Sequence, residues 1–370
     1  MKKRCIPLTR PTLPKATSLT KKIAEIFKSG MITEYKYVRL FEQKCAQFLG
    51  TRYAVATSNG TSALMLTLKC MDLKGEVIVP SFTYSSDAHA LLWCGLTPVF
   101  ADIDPETFNI DPDEIEKKIT PKTSAILPTH VFGNPCDISA IDTIARKHNL
   151  KIIYDAAHAF GSLYEGKPVG AFGDASIYSL TPTKVLTAGE GGLVLTNDVN
   201  LVNKLKIAKL NGDSLNREEE FLGLTARMSE LQAIVGLETL KIFQKMIKRR
   251  YKVVRRYKKN LASIEGIGWQ KICEKDITVY KDLVITIDEK KTGFSRDDLL
   301  DALKKNNIQS KVYFSPPLHL KKVYSQYKHL SLPQTNYLSN HIMNLPIYSH
   351  MPFSEVDAVC NVIIDLYKKL

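Results

Sequence analysis

From residue 50 to 197, short apolar runs alternate with longer stretches of helical spacing, and this alternation points to βα units around a mainly parallel sheet. Seven runs read as strands: "RYAVATS" (52–58), "GEVIVPS" (75–81), "TPVFADI" (97–103), "SAILPTH" (124–130), "KIIYDAA" (151–157), "ASIYSL" (175–180) and "GGLVLTN" (191–197). Between them, "GTSALMLTLKCM", "SSDAHALLWCG" and "DISAIDTIARKHN" have helical spacing, the last opening on Asp137 as an N-cap. After residue 226 the pattern changes. The stretch "RMSELQAIVGLETLKIFQKMIKRRYKVVRRYKKNLASI" meets no breaker until Gly266, so one long helix is expected to bridge two lobes. Beyond it, "LVITI" (283–287), the amphipathic "SRDDLLDALKKNN" (295–307), the loop "VYFSPPLHL" (312–320) and a terminal helix predict a smaller α+β lobe. The expected division is 1–240 for the larger lobe with its N-terminal segment and 241–370 for the smaller. A chain of 370 residues exceeds the roughly 250–300 at which a single core stops growing.

Lys and Arg total 51 against 38 Asp and Glu, a net charge of +13 that would suit a polyanionic partner or an acidic substrate. The lysines, however, are spread in twos and threes, and the densest cluster, "KMIKRRYKVVRRYKKN" (245–260), has a helical period. Without a zinc-finger, RRM or basic-zipper pattern beside the charge, nucleic-acid binding is not expected. The seven cysteines are scattered, odd in number and free of any C-x-x-C pair. They predict reduced, mostly buried thiols rather than disulfides or a metal site. Prolines interrupt the N-terminal "MKKRCIPLTRPTLP" where a signal peptide needs its apolar run, and nothing later approaches the roughly 18 apolar residues of a membrane span. A cytoplasmic protein without membrane contact is expected.

Four short stretches can carry chemistry. In "SLTPTKVLTAGEGG" (179–192), Lys184 lies between a strand and a glycine-rich turn, where an amine can be fixed and used as a nucleophile. A solvated surface lysine is the competing reading. In "IIYDAAHAFG" (152–161), a strand ends in Asp155, with His158 three residues on, and the carboxyl ends of parallel strands are where such sheets build sites. Asp155 is suited to pair with a protonated pyridine nitrogen, or to cap a helix. In "ATSNGTSAL" (56–64), a strand enters a helix through Asn-Gly, offering free N–H groups and the hydroxyls of Thr61 and Ser62 to a phosphate, although ordinary capping would look alike. In "VPSFTYSS" (79–86), Tyr84 at a strand end either lies over a flat ring or fills the core.

In this order and spacing the four stretches resemble the DegT/DnrJ/EryC1/StrS family of pyridoxal-phosphate-dependent nucleotide-sugar aminotransferases. The resemblance covers nearly the whole chain. It continues through "FEQKCAQFLG", "DIDPETFNIDP", "THVFGNPCDI", "RMSELQAIVGL", "PLHLKKVY" and "LPIYSHM". It implies the type I aminotransferase fold, pyridoxal 5′-phosphate as cofactor and active sites shared across a homodimer. By the same resemblance Lys184 would bind the cofactor covalently and carry the proton between Cα of the amino donor and C4′. Asp155 would pair with the pyridine nitrogen, His158 would contact the ring near O3′, and Tyr84 would stack on the ring. Gly60, Thr61, Ser62 and Ser179 would hold the phosphate. With Lys184 where related dehydrases carry histidine, the resemblance implies transamination. Two positions depart from the family pattern: Tyr35 stands where a glycine is expected, and Thr225 where an asparagine is expected to reach the partner subunit's phosphate.

The resemblance further implies a nucleotide-linked keto-sugar as acceptor and an amino acid, commonly L-glutamate, as donor. "GEGG", "VFGNPCDI" and "LTRPTLP" look most like enzymes acting at C4 of dTDP-4-keto-6-deoxyhexoses, such as those making dTDP-4-amino-4,6-dideoxyglucose. Action at C3, or a non-catalytic regulatory role, is the alternative. His319 and Tyr313 are expected either to line the sugar or nucleotide pocket or to pack the lobe interface. Arg227 is expected to bind a phosphate or a substrate carboxylate.

Overall fold

The computed structural model describes residues 5–214 and 218–368. Seven strands form one sheet: β1 (Tyr53–Thr57), β2 (Glu76–Pro80), β3 (Thr97–Ala101), β4 (Thr123–Ile126), β5 (Lys151–Asp155), β6 (Ala175–Ser179) and β7 (Gly192–Thr196). Six fall within an expected run, and β4 begins one residue ahead of its run, at Thr123. Their order is β1-β7-β6-β5-β4-β2-β3, and only β7 runs against the rest. The chain returns directly from β6 into β7 through residues 180–191, and a strand that returns without a crossover must be antiparallel. The carboxyl ends of β1, β2, β5 and β6 therefore gather on one edge.

Alternate residues of each strand feed two cores. Tyr154, Ile152, Tyr178, Leu193 and Leu195 face one side, where they meet α1 (Thr20–Ser29), α2 (Lys36–Leu49) and, further along the chain, the helices that follow β4 and residue 229. Ile153, Ile177, Val194, Val77 and Val79 face the other, against α3 (Gly60–Cys70) and α4 (Ser85–Trp93). Helices α5 (Ile138–His148) and α6 (Val199–Ala208) complete the two layers, one on each side. A sheet apolar on both faces needs both covered, which is why its strands read as continuous apolar runs. Asp137 caps α5 as expected, accepting from the Ala140 N–H at 3.0 Å.

The long helix α7 spans Glu230–Asn260, shorter at both ends than the apolar pattern predicts. Ser229 and Gln232 form a capping box that starts it. It ends because Leu261 and Ile264 turn into the core of the second lobe. Its first half packs on the large sheet's helices through Ile234, Leu237 and Phe243, and its second half on the smaller lobe through Val253, Val254 and Tyr257. That lobe holds a three-stranded antiparallel sheet, β8 (Ile267–Trp269), β9 (Leu283–Ile287) and β10 (Ile342–Leu345), covered by α8 (Arg296–Lys305) and α9 (Phe353–Tyr367). Residue 240 lies inside the continuous α7. Ile6 bridges Ile308 and packs in the smaller lobe's core, so the N-terminal residues ride on that lobe. All seven cysteines are free thiols, five of them buried.

Where a glycine was expected, Tyr35 has an ordinary negative φ of −121°, and the left-handed turn falls on Glu34 at 52°. The Glu34 carboxylate meets the buried Lys209 amine at 2.7 Å, a partner that holds this turn without glycine.

Candidate active site

Four strand ends and the smaller lobe enclose a cavity of about 350 Å³. On one wall, Asn59 caps α3 by accepting from the Ser62 N–H at 2.8 Å. The N–H groups of the first turn lack partners within the helix, so Gly60 and Thr61, both lining the cavity, form an anion cradle. This wall is built by close approach. A Cβ on Gly60 would lie 3.1 Å from that of Ser179, and one on Gly192 would lie 2.3 Å from the Asn59 carbonyl oxygen. Glycine at 192 lets β7 pass beneath the turn.

Lys184 sits in the turn after β6, its N–H donating to Thr181 O at 3.0 Å. Thr187 Oγ1 ties the far side of the turn to Leu180 O at 2.9 Å. The side chain enters the cavity. Burial, then the positive charge of Lys281, lowers its amine to about 8, against the pull of Asp155, Asp282 and Asp87. About a tenth of it is free base at pH 7, against less than about a thousandth of an ordinary lysine, and free base is the form a nucleophile and proton carrier requires.

Asp155 ends β5 and is buried, with Oδ1 accepting from the Ala157 N–H at 2.8 Å. Burial raises its carboxyl, while the Ala157 hydrogen bond and the Lys184 charge oppose that rise. His158 is buried too, and burial, then Lys184 and Lys281, holds it well below its ordinary value. The ring is neutral.

From the smaller lobe come Lys281, Tyr313 and Phe314. Lys281 is buried and pairs with Asp282 at 2.9 Å, its amine 5.9 Å from the Tyr313 ring centroid. The buried Arg250 of α7 donates to the carbonyls of Tyr280 at 3.0 Å and Lys281 at 2.9 Å, fixing the segment that delivers this lysine. Tyr84 stands at the mouth, 60% exposed, so it does not fill the core.

Of the residues expected from sequence, Lys184, Asp155, His158, Tyr84, Gly60, Thr61, Ser179 and Tyr313 line this one cavity. Three do not. Ser62 is set back in the first turn of α3, its hydroxyl accepting from Ser58 Oγ at 3.3 Å. His319 is fully buried and bonded through Nδ1 to Ser81 Oγ at 2.7 Å, packing the loop onto the end of β2. Arg227 is exposed outside the cavity, as is Thr225. Sequence reasoning missed Lys281, Asp87 and Phe314. "YKDLVITI" reads as two surface charges before a strand, and only the Lys-Asp adjacency hinted at a buried pair.

The model of the DegT/DnrJ/EryC1/StrS aminotransferase family matches residues 15–364. The spore coat polysaccharide biosynthesis protein SpsC of Bacillus subtilis (strain 168) is 35% identical, over 98% of this chain and 97% of that protein. Among solved structures, DesI in the presence of its TDP-sugar product is 34% identical with a TM-score of 0.94, covering 99% of this chain and 94% of that one. NtdA from Bacillus subtilis, with bound cofactor PMP, is 30% identical with a TM-score of 0.87, covering 95% and 82%.

Proposed function

The chain belongs to the DegT/DnrJ/EryC1/StrS aminotransferase family, and from that premise we propose that it aminates C4 of a dTDP-4-keto-6-deoxyhexose, with L-glutamate as donor. It is a pyridoxal-phosphate-dependent nucleotide-sugar aminotransferase. The observation that carries the reading of the site is the meeting of Lys184, Asp155 and the α3 N-terminus in one cavity. The DesI likeness, with its TDP-sugar product, favours a TDP-linked sugar as acceptor.

The residues present fit the cofactor, because the first turn of α3 leaves N–H groups for a phosphate and Gly60 keeps that approach open beside Ser179. When bound, pyridoxal phosphate supplies an electron sink for the pair left behind when a Cα–H bond loses its proton. Gly60, Thr61 and Ser179 would hold the phosphate, Asp155 the ring nitrogen, and His158 the ring hydroxyl. Tyr84 would cover a ring face. Lys184 takes the proton from the donor's Cα and returns one to the sugar carbon, which suits an amine near 8. Tyr313 and Lys281 border the space left for substrate, and contacts remote from the reacting carbon can orient the ketone. An intact Lys184 and Asp155 speak against a regulatory, non-catalytic role.

The same reading includes a homodimer with shared sites. Exposed Thr225 and Arg227 are available to a second copy, and Phe27, Ile32 and Leu222 are each more than half exposed. It also includes a cytoplasmic location, which the free thiols favour. Among the described residues no helix is long and apolar enough to cross a membrane. The lobes divide within α7, with the cofactor lobe through residue 240 and the smaller lobe from 241.

Mass spectrometry of the protein incubated with pyridoxal phosphate, L-glutamate and dTDP-4-keto-6-deoxyglucose tests this. An aminated nucleotide sugar is expected. Conversion of the cofactor to its amine form by glutamate with no sugar product would reject this acceptor.

A further inference from the structure

Asp87 lies in the first turn of α4 and is buried, 1% exposed. An acid at this helical position usually turns back onto the helix N-terminus. Here the side chain turns away: Oδ2 accepts from Thr83 Oγ1 at 2.7 Å and from Thr129 Oγ1 at 3.0 Å. Oδ1 is shielded from solvent and has no donor. Asp87 lines the same cavity as Asp155, and the two carboxyls interact side chain to side chain. Thr129 joins them, bonding Asp87 through its hydroxyl and bridging Asp155 through its backbone.

Two neighbouring buried carboxylates resist ionising together, and one proton between them relieves the repulsion while giving Oδ1 its missing partner. Burial, then the charge of Asp155, pushes Asp87 well above the usual carboxylate range. The other groups facing the pair are Lys184 across the cavity, Tyr324 with its partner His89, and Cys136 behind Asp155. Of these, Lys184 is the one that supplies positive charge, and it lies in the cavity that both carboxyls line.

We propose that Asp87 is a positioning residue for Asp155: as a neutral acid it donates the pair's single proton to Asp155, which meets the cofactor's ring nitrogen carrying the pair's one negative charge. This rests on the cofactor reading above. Nothing is consumed, since the proton stays between the two carboxyls.

The test measures binding of pyridoxal phosphate and of its analogue with CH in place of the ring nitrogen to the wild type, D87N and D87A. The wild type should bind the analogue about tenfold or more weakly, the loss expected for a hydrogen bond to a charged group. D87N, which still donates from its amide, should keep that ratio. D87A should lose most of it. An equal collapse in D87N would show that Asp87 acts as an anion, and an unchanged ratio in D87A would show a merely structural role; either overturns the inference. Should D87A not fold, D87N alone separates a neutral from an anionic Asp87. A wild-type ratio near one would instead overturn the pairing of Asp155 with the ring nitrogen, and this inference with it.

Discussion

The backbone N–H of Phe132 donates to Nδ1 of His158 at 3.2 Å. A backbone N–H can only donate, so Nδ1 is the acceptor and the ring proton sits on Nε2. Burial, reinforced by Lys184 and Lys281, keeps the ring neutral. His158→Gln can reproduce both contacts and is expected to bind pyridoxal phosphate within about threefold of wild type, whereas His158→Phe, which leaves Phe132 N–H unpaired, should weaken binding about tenfold. Cofactor titration by fluorescence distinguishes them.

Lys184, lowered to about 8, should capture pyridoxal phosphate at a rate that rises tenfold per pH unit below 8 and levels above it. An ordinary lysine would level only above about 10.4. Because the folded amine binds its proton less tightly than the unfolded one, this group's contribution to stability increases from pH 8 toward 10.4. Stopped-flow capture by cofactor-free protein checks the profile. Lys184→Ala should show no covalent adduct by mass and no turnover.

Lys281 is the positive charge that pushes Lys184 down most after burial itself. Lys281→Met should therefore move the midpoint of the capture profile upward, and Lys281→Arg should restore it. A Lys281→Met profile superposing on wild type would show that the two amines do not communicate.

Glu230, at the start of α7, accepts from the N–H groups of Tyr35 at 2.9 Å, Tyr37 at 2.7 Å and Val38 at 2.9 Å. It is buried, and it satisfies the N-terminus of α2 from another helix. Glu230→Ala should cost about 3 kcal/mol and Glu230→Gln about half of that, since charge-assisted bonds are the stronger ones. Urea unfolding monitored by circular dichroism gives both values.

Gly192→Ala would bring a methyl group to 2.3 Å from the Asn59 carbonyl oxygen, backbone against which little can yield. The expected cost is about 2 kcal/mol of stability, the usual range for overpacking. Displacing Asn59 should also reduce the preference for pyridoxal phosphate over unphosphorylated pyridoxal. Equal affinities in wild type would locate the phosphate elsewhere.

What the sequence determined by itself is whatever short-range physics can write. Short apolar runs between helical stretches marked all seven strands of the large sheet, Asp137 marked a helix start, and the turn around Lys184 followed from its glycines. The joining of Lys184, Asp155 and Gly60 was legible because each closes a strand, and parallel strands bring their ends to one edge. Only the tertiary structure decided the rest. His319 has the same local signature as a site residue, yet burial against Ser81 takes it out of the cavity. Lys281 looks like a surface charge until Arg250, 31 residues away in the chain, holds its carbonyl and turns it inward. Asp87 looks like a helix-start acid until Thr83 and Thr129 draw it toward Asp155. Periodicity and capping act over a few residues, whereas burial and charge pairing depend on which distant segments meet, and that is settled only when the two lobes close on one another.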